Sequence, residues 1–201
     1  MRIIATGTVV FSILCAFAAP GWAAGKPSQG LYNKKVYNAE TKSYFELYSS
    51  DASDPKWKDN VRDFGHIKWQ QANELVRKRW FKGVRGRLAV VKSRQTHEFL
   101  KKNFRPNGPA RIGLRYWCRF RELQWVTGEI HKLNAFQAWG PVWNIAGAAP
   151  HKNKGIAGCS AAKRDFLPVH YWRMQDGFFW NANARLKEWN QVFIEYPTGK
   201  E

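Results

Sequence analysis

Two amphipathic helical segments in the first half of the chain limit the folds that it can adopt. Along the segment His66–Trp80, apolar residues recur at spacings of three and four and predict a helix with one buried face: Trp69, Ala72, Val76 and Trp80. Gly83 and Gly86 follow, and glycine commonly ends helices. A second helix is predicted over Arg94–Asn103, because Ser93 is a favourable N-cap residue.

Short strand-like segments dominate the rest of the chain. They are rich in β-branched and aromatic residues: Arg87–Lys92, Ile112–Trp117, Leu123–Val126, Gly177–Trp180 and Gln191–Tyr196. Leu31–Ser50 predicts one or two further strands, which either pair within the domain or form a separate arm. Gly128–Gly158 is predicted to be an extended loop. Helices early in the chain and strands late predict the α+β fold class.

The first 24 residues have the pattern of a secretory signal peptide. Arg2 precedes an apolar run over Thr6–Ala19, and the small residues Gly21 and Ala23 suit a cleavage site. An uncleaved membrane anchor is the alternative, but the run is shorter than the ~20 apolar residues of a spanning helix. We expect a secreted or periplasmic protein with no transmembrane segment after signal removal. The expected division is a signal peptide at 1–24, an N-terminal extension at 25–43 and one domain at 44–197.

Two cysteines, Cys118 and Cys159, would remain after signal cleavage. An even pair in an exported protein can form one disulfide, which would stabilise the fold by about 3–4 kcal/mol in the chain-entropy description. The alternative is two free thiols, because sequence alone does not show whether their Cα atoms come within bonding range.

Basic residues strongly outnumber acidic ones. The 33 Lys and Arg residues and 15 Asp and Glu residues give a formal net charge of +18 at pH 7. The densest cluster contains six cations: Arg77, Lys78, Arg79, Lys82, Arg85 and Arg87. Such a cluster is either a solvated face or an attractor of polyanions, such as acidic glycans, lipopolysaccharide phosphates or anionic lipid. Nucleic acid is a weaker candidate, because no nucleic-acid-binding motif is present.

Recognised catalytic and metal-binding patterns are absent from the sequence. Its five histidines are scattered without metal-ligand spacing, and neither a G-x-S-x-G nor a P-loop pattern occurs. Cys159 with His170 is a conceivable nucleophile and base, which would require a free thiol. We expect a protein that is not an enzyme and needs no cofactor, with a small secreted hydrolase as the alternative that this pair allows.

Seven short motifs, taken in order, resemble those of the C-type lectin-like domain family. They are WQQANELV at Trp69–Val76, GRLAVVKS at Gly86–Ser93, RIGL at Arg111–Leu114, LQWVTGE at Leu123–Glu129, FQAWGPVWN at Phe136–Asn144, FFWNA at Phe178–Ala182 and VFIEY at Val192–Tyr196. The resemblance runs from about Tyr44 to Tyr196. It implies an α+β fold with two helices, small antiparallel sheets and a long loop region.

The chain departs from the family pattern at the cysteine and calcium positions. Val76 and Ile194 stand where the family usually has a disulfide between the first helix and the last strand. Cys159 resembles the family's third cysteine, whose usual partner is absent, so the resemblance leaves Cys118 as its partner. The acids of the family's calcium motifs are missing beside Asn144, Cys159 and Asn181. Calcium needs about six to eight oxygen ligands, several of them anionic, so we expect no metal site.

Eleven tryptophans offer stacking surfaces for sugars. The candidate ligand contacts are Trp143, Asn144, Trp172, Asn181 and Trp139. For Trp139 and Trp180, packing under the long loop is favoured over contact with a ligand. We predict a calcium-independent binding protein for a carbohydrate or an anionic surface glycoconjugate. The alternative is a lectin-like scaffold that recognises another protein.

Overall fold

The computed structural model describes residues 34–49, 69–132, 134–141, 159, 165–182 and 191–201. Within these ranges, the strands form an eight-stranded sheet and a two-stranded hairpin. The sheet contains β1 (Lys35–Asn38), β2 (Ser43–Ser49), β5 (Arg87–Leu88), β6 (Ala110–Trp117), β7 (Glu122–Trp125), β8 (Phe166–Tyr171), β9 (Trp180–Ala182) and β10 (Gln191–Tyr196). The hairpin contains β3 (Trp80–Phe81) and β4 (Val84–Arg85), and the helices are α1 (Trp69–Arg77) and α2 (Arg94–Asn103).

The last strand, β10, pairs with β2 from the beginning of the described chain. The strand order is β1-β2-β10-β6-β8-β9, with β5 also paired to β10 and β7 to β6. β10 runs antiparallel to β2, with Tyr196 opposite Tyr44, and parallel to β6. β1 and β2 pair antiparallel in this sheet, so residues 35–49 form the strand pair and not a separate arm. β1, from the predicted extension, therefore lies in the same sheet as the predicted domain.

The two helices pack on opposite faces of the sheet. Side chains alternate along a strand, so Phe193 joins the cluster that includes Leu100 of α2, whereas Ile194 joins the cluster that includes Val76 of α1. Val76 and Ile194 are both fully buried, and they belong to the same apolar cluster. The predicted α+β class with two helices is confirmed.

The second predicted helix is confirmed at both ends. α2 spans Arg94–Asn103, and the Ser93 hydroxyl oxygen accepts a hydrogen bond from the Thr96 backbone N–H at 3.0 Å. This bond satisfies one of the amide groups that a helix leaves without a partner at its start.

The first predicted helix is too long at its C-terminal end. α1 ends at Arg77, and the chain then reverses through Lys82 and Gly83, whose φ angles are 48° and 77°. Positive φ at both central residues is the geometry of a tight two-residue hairpin turn. Trp80 consequently lies in β3 with 58% of its surface exposed, and not on the buried face of a helix. Residues 66–68 lie outside the described ranges.

Other strands also differ from the predictions. β8 was not predicted, and it contains Pro168, a residue that cannot donate a hydrogen bond to a neighbouring strand. The strand predicted at Gly177–Trp180 instead begins at Trp180, after a short 3₁₀ turn and Gly177 at φ 95°. The strand predicted over Arg87–Lys92 is limited to β5, although the Ala89 N–H still donates to the Phe193 carbonyl at 2.9 Å.

The predicted signal peptide at 1–24 and residues 142–158 of the predicted loop lie outside the described ranges. None of the helices that the structure describes has both the length and the apolar character needed to cross a membrane.

Candidate functional site

The densest group of exposed cations lies on the segment 77–87, which we call the basic hairpin. It runs from the end of α1 through β3 and β4 to the start of β5. Four of its cations are exposed: Arg77, Lys78, Lys82 and Arg85. Trp80 is exposed between them in the sequence, and the Arg85 guanidinium carbon is 5.1 Å from its ring centroid. An aromatic face and four cations are therefore available on one short hairpin.

Arg79 is not among the outward cations, although the sequence indicated it as one. Its Nη2 donates to Oε1 of Glu46 at 2.7 Å, and its guanidinium lies 4.4 Å from the Tyr48 ring centroid. The Glu46 side chain is completely buried, forms an ion pair with Lys35 at 3.2 Å and accepts a hydrogen bond from the Tyr196 hydroxyl at 2.7 Å. Burial raises the pKa of Tyr196 to about 12, so this hydroxyl stays a neutral donor. Arg79 thus neutralises a buried carboxylate.

Arg87 has the same kind of structural role. Its Nε and Nη2 donate to the two carboxylate oxygens of Glu195 at 3.1 and 2.8 Å. Glu195 is buried in β10, and it also accepts from the Val90 backbone N–H at 3.0 Å. A two-bond arginine–carboxylate pair is geometrically specific, so it fixes β5 against β10. Arg79 and Arg87 are thus both paired with buried carboxylates, and their predicted contact with an external anion stays a prediction.

Lys82 occupies the turn of the basic hairpin and is held by an aromatic residue. Its Nζ donates to the Tyr44 hydroxyl at 2.8 Å and lies 4.8 Å from that ring centroid. Phe81, beside it, packs edge-on against Tyr44 and tilted against Tyr196, with ring centroids 4.9 and 5.6 Å apart. These contacts attach the hairpin to β2 and β10. The exposed cations therefore project from an anchored surface.

The tryptophan candidates divide between the core and partly exposed positions. Trp139 is 3% exposed and packs edge-to-face on the fully buried Trp180, so both rings lie in the core, the position favoured for them, and Trp139 is not a stacking surface. Trp172 is half-buried, with its ring 5.6 Å from that of His170. Trp143 and Asn144 lie outside the described ranges, and their predicted role stays a prediction.

The surroundings of Asn181 do not suit a calcium ion. Its side-chain oxygen accepts from the Ala182 backbone N–H at 2.8 Å. Its cross-strand partner is His170, which in turn lies opposite Arg111. Burial lowers the pKa of Arg111 to about 9, so this side chain is still a cation near neutral pH. Among the described residues, no group of three or more His, Cys, Asp or Glu side chains could hold a metal ion.

Lowering the pH below about 6.5 is expected to destabilise the fold, because His170 is held neutral. Complete burial, and then the charge of Arg111, lower the pKa of His170 well below its usual value. Below that usual value, the unfolded chain binds a proton that the folded chain does not. Stability therefore falls by up to about 1.4 kcal/mol per pH unit from this group.

Denaturant unfolding between about pH 7 and pH 5 checks this dependence. Burial lowers the pKa of His97 as well, so His97 contributes to the total slope. The contribution of His170 is isolated by comparing the natural chain with His170→Gln, whose slope should be shallower. Equal slopes for the two proteins would contradict the prediction.

Arg115 lies among aromatic rings on the face of the sheet that α1 covers, and the sequence analysis did not identify it. The guanidinium carbon of Arg115 lies 4.5 Å from the ring centroid of Trp69, 4.7 Å from that of Trp117 and 5.5 Å from that of Phe166. We call these four residues with Gln124 the arginine–aromatic cluster. A signal for it was present in ARIGLRYW, where Arg115 and Trp117 alternate with core residues.

Cys118 and Cys159 form a disulfide, as predicted, with their Cα atoms 5.6 Å apart. His170 is fully buried in β8. Cys159 therefore has no free thiol that could act as a nucleophile with His170 as its base. The hypothesis of a hydrolase that uses this pair is corrected.

No protein-family model and no curated protein matches the chain. Among solved structures, it is similar to the human scavenger receptor C-type lectin carbohydrate-recognition domain, with 12% identity, a TM-score of 0.49 and coverage of 80% of this chain and 94% of that chain. The corresponding mouse domain gives 16% identity and a TM-score of 0.43, over 75% of this chain and 87% of that chain. The chain itself has an α+β fold, with two helices on a mixed sheet and β2 paired with β10, in keeping with the resemblance of its motifs to the C-type lectin-like domain family.

Proposed function

We propose that this chain is an exported binding protein, secreted or periplasmic, that holds an anionic glycoconjugate through the basic hairpin without calcium. One observation carries the proposal. Four cations and Trp80 are exposed on a short anchored hairpin, whereas the two neighbouring cations are bound to buried carboxylates. The hairpin therefore retains positive charge on its outer surface for a partner.

The chemistry of these residues suits a sugar that carries negative groups. Arginine presents a planar fork of donors that matches sulfate, phosphate and carboxylate oxygens, and lysine adds a mobile point charge. The exposed ring of Trp80 offers a flat apolar surface for the apolar face of a sugar. A glycan bearing anionic groups would engage both kinds of contact.

Calcium independence and export are part of the same proposal. The cations of the basic hairpin contact an anion directly, so no metal ion is needed to bridge protein and ligand. The signal-peptide pattern at 1–24 supports export, as does the Cys118–Cys159 disulfide, because disulfides persist in oxidising compartments. Because Cys159 lies in that disulfide, it has no free thiol to act as a nucleophile, which supports a binding role without catalysis.

The combined substitution R77Q/K78Q/K82Q/R85Q is expected to weaken binding to a sulfated glycan about fourfold or more. Exposed ion pairs contribute about 0.2–1 kcal/mol each, and the four losses act together. The matched control is R94Q/K102Q/K132Q/K200Q, which removes the same charge from exposed positions elsewhere. Surface plasmon resonance on an immobilised sulfated glycan, with the unsulfated glycan as reference, measures both proteins. Equal weakening of the two variants would show that only net charge matters and would contradict the site.

The same measurement tests the ligand class and the metal requirement. Binding should weaken as salt is added, because exposed charges are screened. It should be unchanged by EDTA, and loss of binding in EDTA would overturn calcium independence. No binding to any glycan on an array would overturn the proposed ligand and favour the alternative, a lectin-like scaffold that recognises a protein.

A further inference from the structure

The arginine–aromatic cluster holds Arg115 in one orientation. The ring centroids of Trp69 and Phe166 lie 5.8 Å apart, and those of Trp117 and Phe166 lie 5.2 Å apart. The Trp69 indole N–H donates to the Ile112 carbonyl at 3.1 Å, and the Trp117 indole N–H donates to Gln124 Oε1 at 2.8 Å. The rings around the guanidinium are thus themselves fixed by hydrogen bonds and mutual packing.

Arg115 differs from Arg79 and Arg87 in its hydrogen-bond partners. Arg79 and Arg87 each donate to a buried carboxylate. Arg115 donates only to the neutral oxygen of Gln124, at 3.3 Å, and its buried Nε has no partner among the residues that the structure describes. Burial lowers the pKa of Arg115, but an arginine remains charged at physiological pH. The cluster therefore contains a fixed cation that no acidic side chain of the described ranges neutralises.

The cluster is also accessible. Arg115, Trp117, Gln124 and Phe166 are all half-buried, so part of each side chain reaches the surface. A carboxylate can take two hydrogen bonds from a guanidinium edge, and a half-exposed indole can pack against a ring that carries the carboxylate. Both features together select an anion attached to a ring more strongly than a free anion.

We propose that the arginine–aromatic cluster is a second binding site, which takes the carboxylate of an acidic sugar on Arg115 while the sugar ring packs on Trp117. The site lies where α1 begins, at Trp69, whereas the basic hairpin starts where α1 ends, at Arg77. The two sites share no residue. The cluster can therefore bind its ligand whether or not the basic hairpin binds one.

The test is a nuclear magnetic resonance titration of the disulfide-bonded mature chain with glucuronate, glucose and acetate. Glucuronate should shift the indole N–H signals of Trp117 and Trp69 saturably. Glucose, which lacks the carboxylate, and acetate, which lacks the ring, should each bind at least tenfold more weakly. Acetate binding equal to that of glucuronate would overturn the proposal, because the site would then be a non-specific anion contact. Absence of saturable shifts with glucuronate would overturn it as well.

Variants locate the binding. R115Q should weaken glucuronate binding at least tenfold, whereas R119Q, an exposed arginine on the following turn, should leave it unchanged. If R115Q does not fold, R115K provides the same test, because it keeps the charge and loses the planar fork, and it should also weaken binding. Unchanged binding in R115Q, or in R115K if only that variant folds, would overturn the proposal. The hairpin variant R77Q/K78Q/K82Q/R85Q should bind glucuronate normally, which separates this result from the outcome at the basic hairpin.

Discussion

Replacement of Trp180 by alanine is expected to lower the free energy of unfolding by about 3–5 kcal/mol, the usual cost of removing a buried aromatic side chain. Trp180 is fully buried at the centre of an aromatic group. Its ring packs edge-to-face against four neighbours at centroid distances of 5.6–6.0 Å: Trp125, His131, Phe136 and Trp139. Alanine would leave a large cavity among rigid rings that cannot collapse into it.

Denaturant unfolding of Trp180→Ala and of a surface control measures this cost. The control is Phe120→Ala, because Phe120 is 62% exposed and its loss should change stability by less than about 0.5 kcal/mol. Similar stabilities for the two variants would show that Trp180 is not the packing centre that the structure indicates.

Replacement of Glu46 by alanine is expected to cost about 2–4 kcal/mol. Removing one partner of a buried ion pair is destabilising, because the remaining charges lose their counter-ion. The expected loss of stability is below the upper end of the range for buried ion pairs, because the side chains of Lys35 and Arg79 are 23% and 30% exposed and water can reach them. The Tyr196 hydroxyl would also lose its acceptor.

A double-mutant cycle tests the Glu46 prediction directly. The variant Glu46→Ala/Arg79→Ala should be less destabilised than the sum of the two single variants, because the second substitution removes the charge that the first leaves unpaired. Glu122→Ala is the control, since Glu122 is an exposed carboxylate on β7. Strict additivity of the two substitutions would mean that Glu46 and Arg79 do not stabilise each other.

Local signals in the sequence were sufficient to predict the bounds of α2 and β10. The Ser93 cap and the following pattern specify α2 to the residue, and the β-forming run at the C-terminus specifies β10. The end of α1 was not predictable in this way. The apolar spacing continues to Trp80, but the backbone turns at Lys82 and Gly83, and the hairpin is held by Tyr44 and Tyr196 from distant strands.

The candidate site was predictable as a charged segment but not residue by residue. Six cations within 77–87 are visible in the sequence, yet the separation of Arg79 and Arg87 from the others depends on Glu46 and Glu195. Those acids come from β2 and β10, and only the paired strands bring them to the hairpin. Arg115 was missed for the same reason, because Trp69 and Phe166 reach it from α1 and β8.

α1 connects the two proposed binding surfaces, with Trp69 at its start and Arg77 at its end. Its nine residues rise by about 1.5 Å each, so its ends are about 12 Å apart along a rigid axis. A monosaccharide can occupy one surface only, whereas a polymer long enough to span the helix can occupy both and gain from the high effective concentration of its second contact. We therefore expect binding to strengthen with polymer length once one polymer can occupy both surfaces.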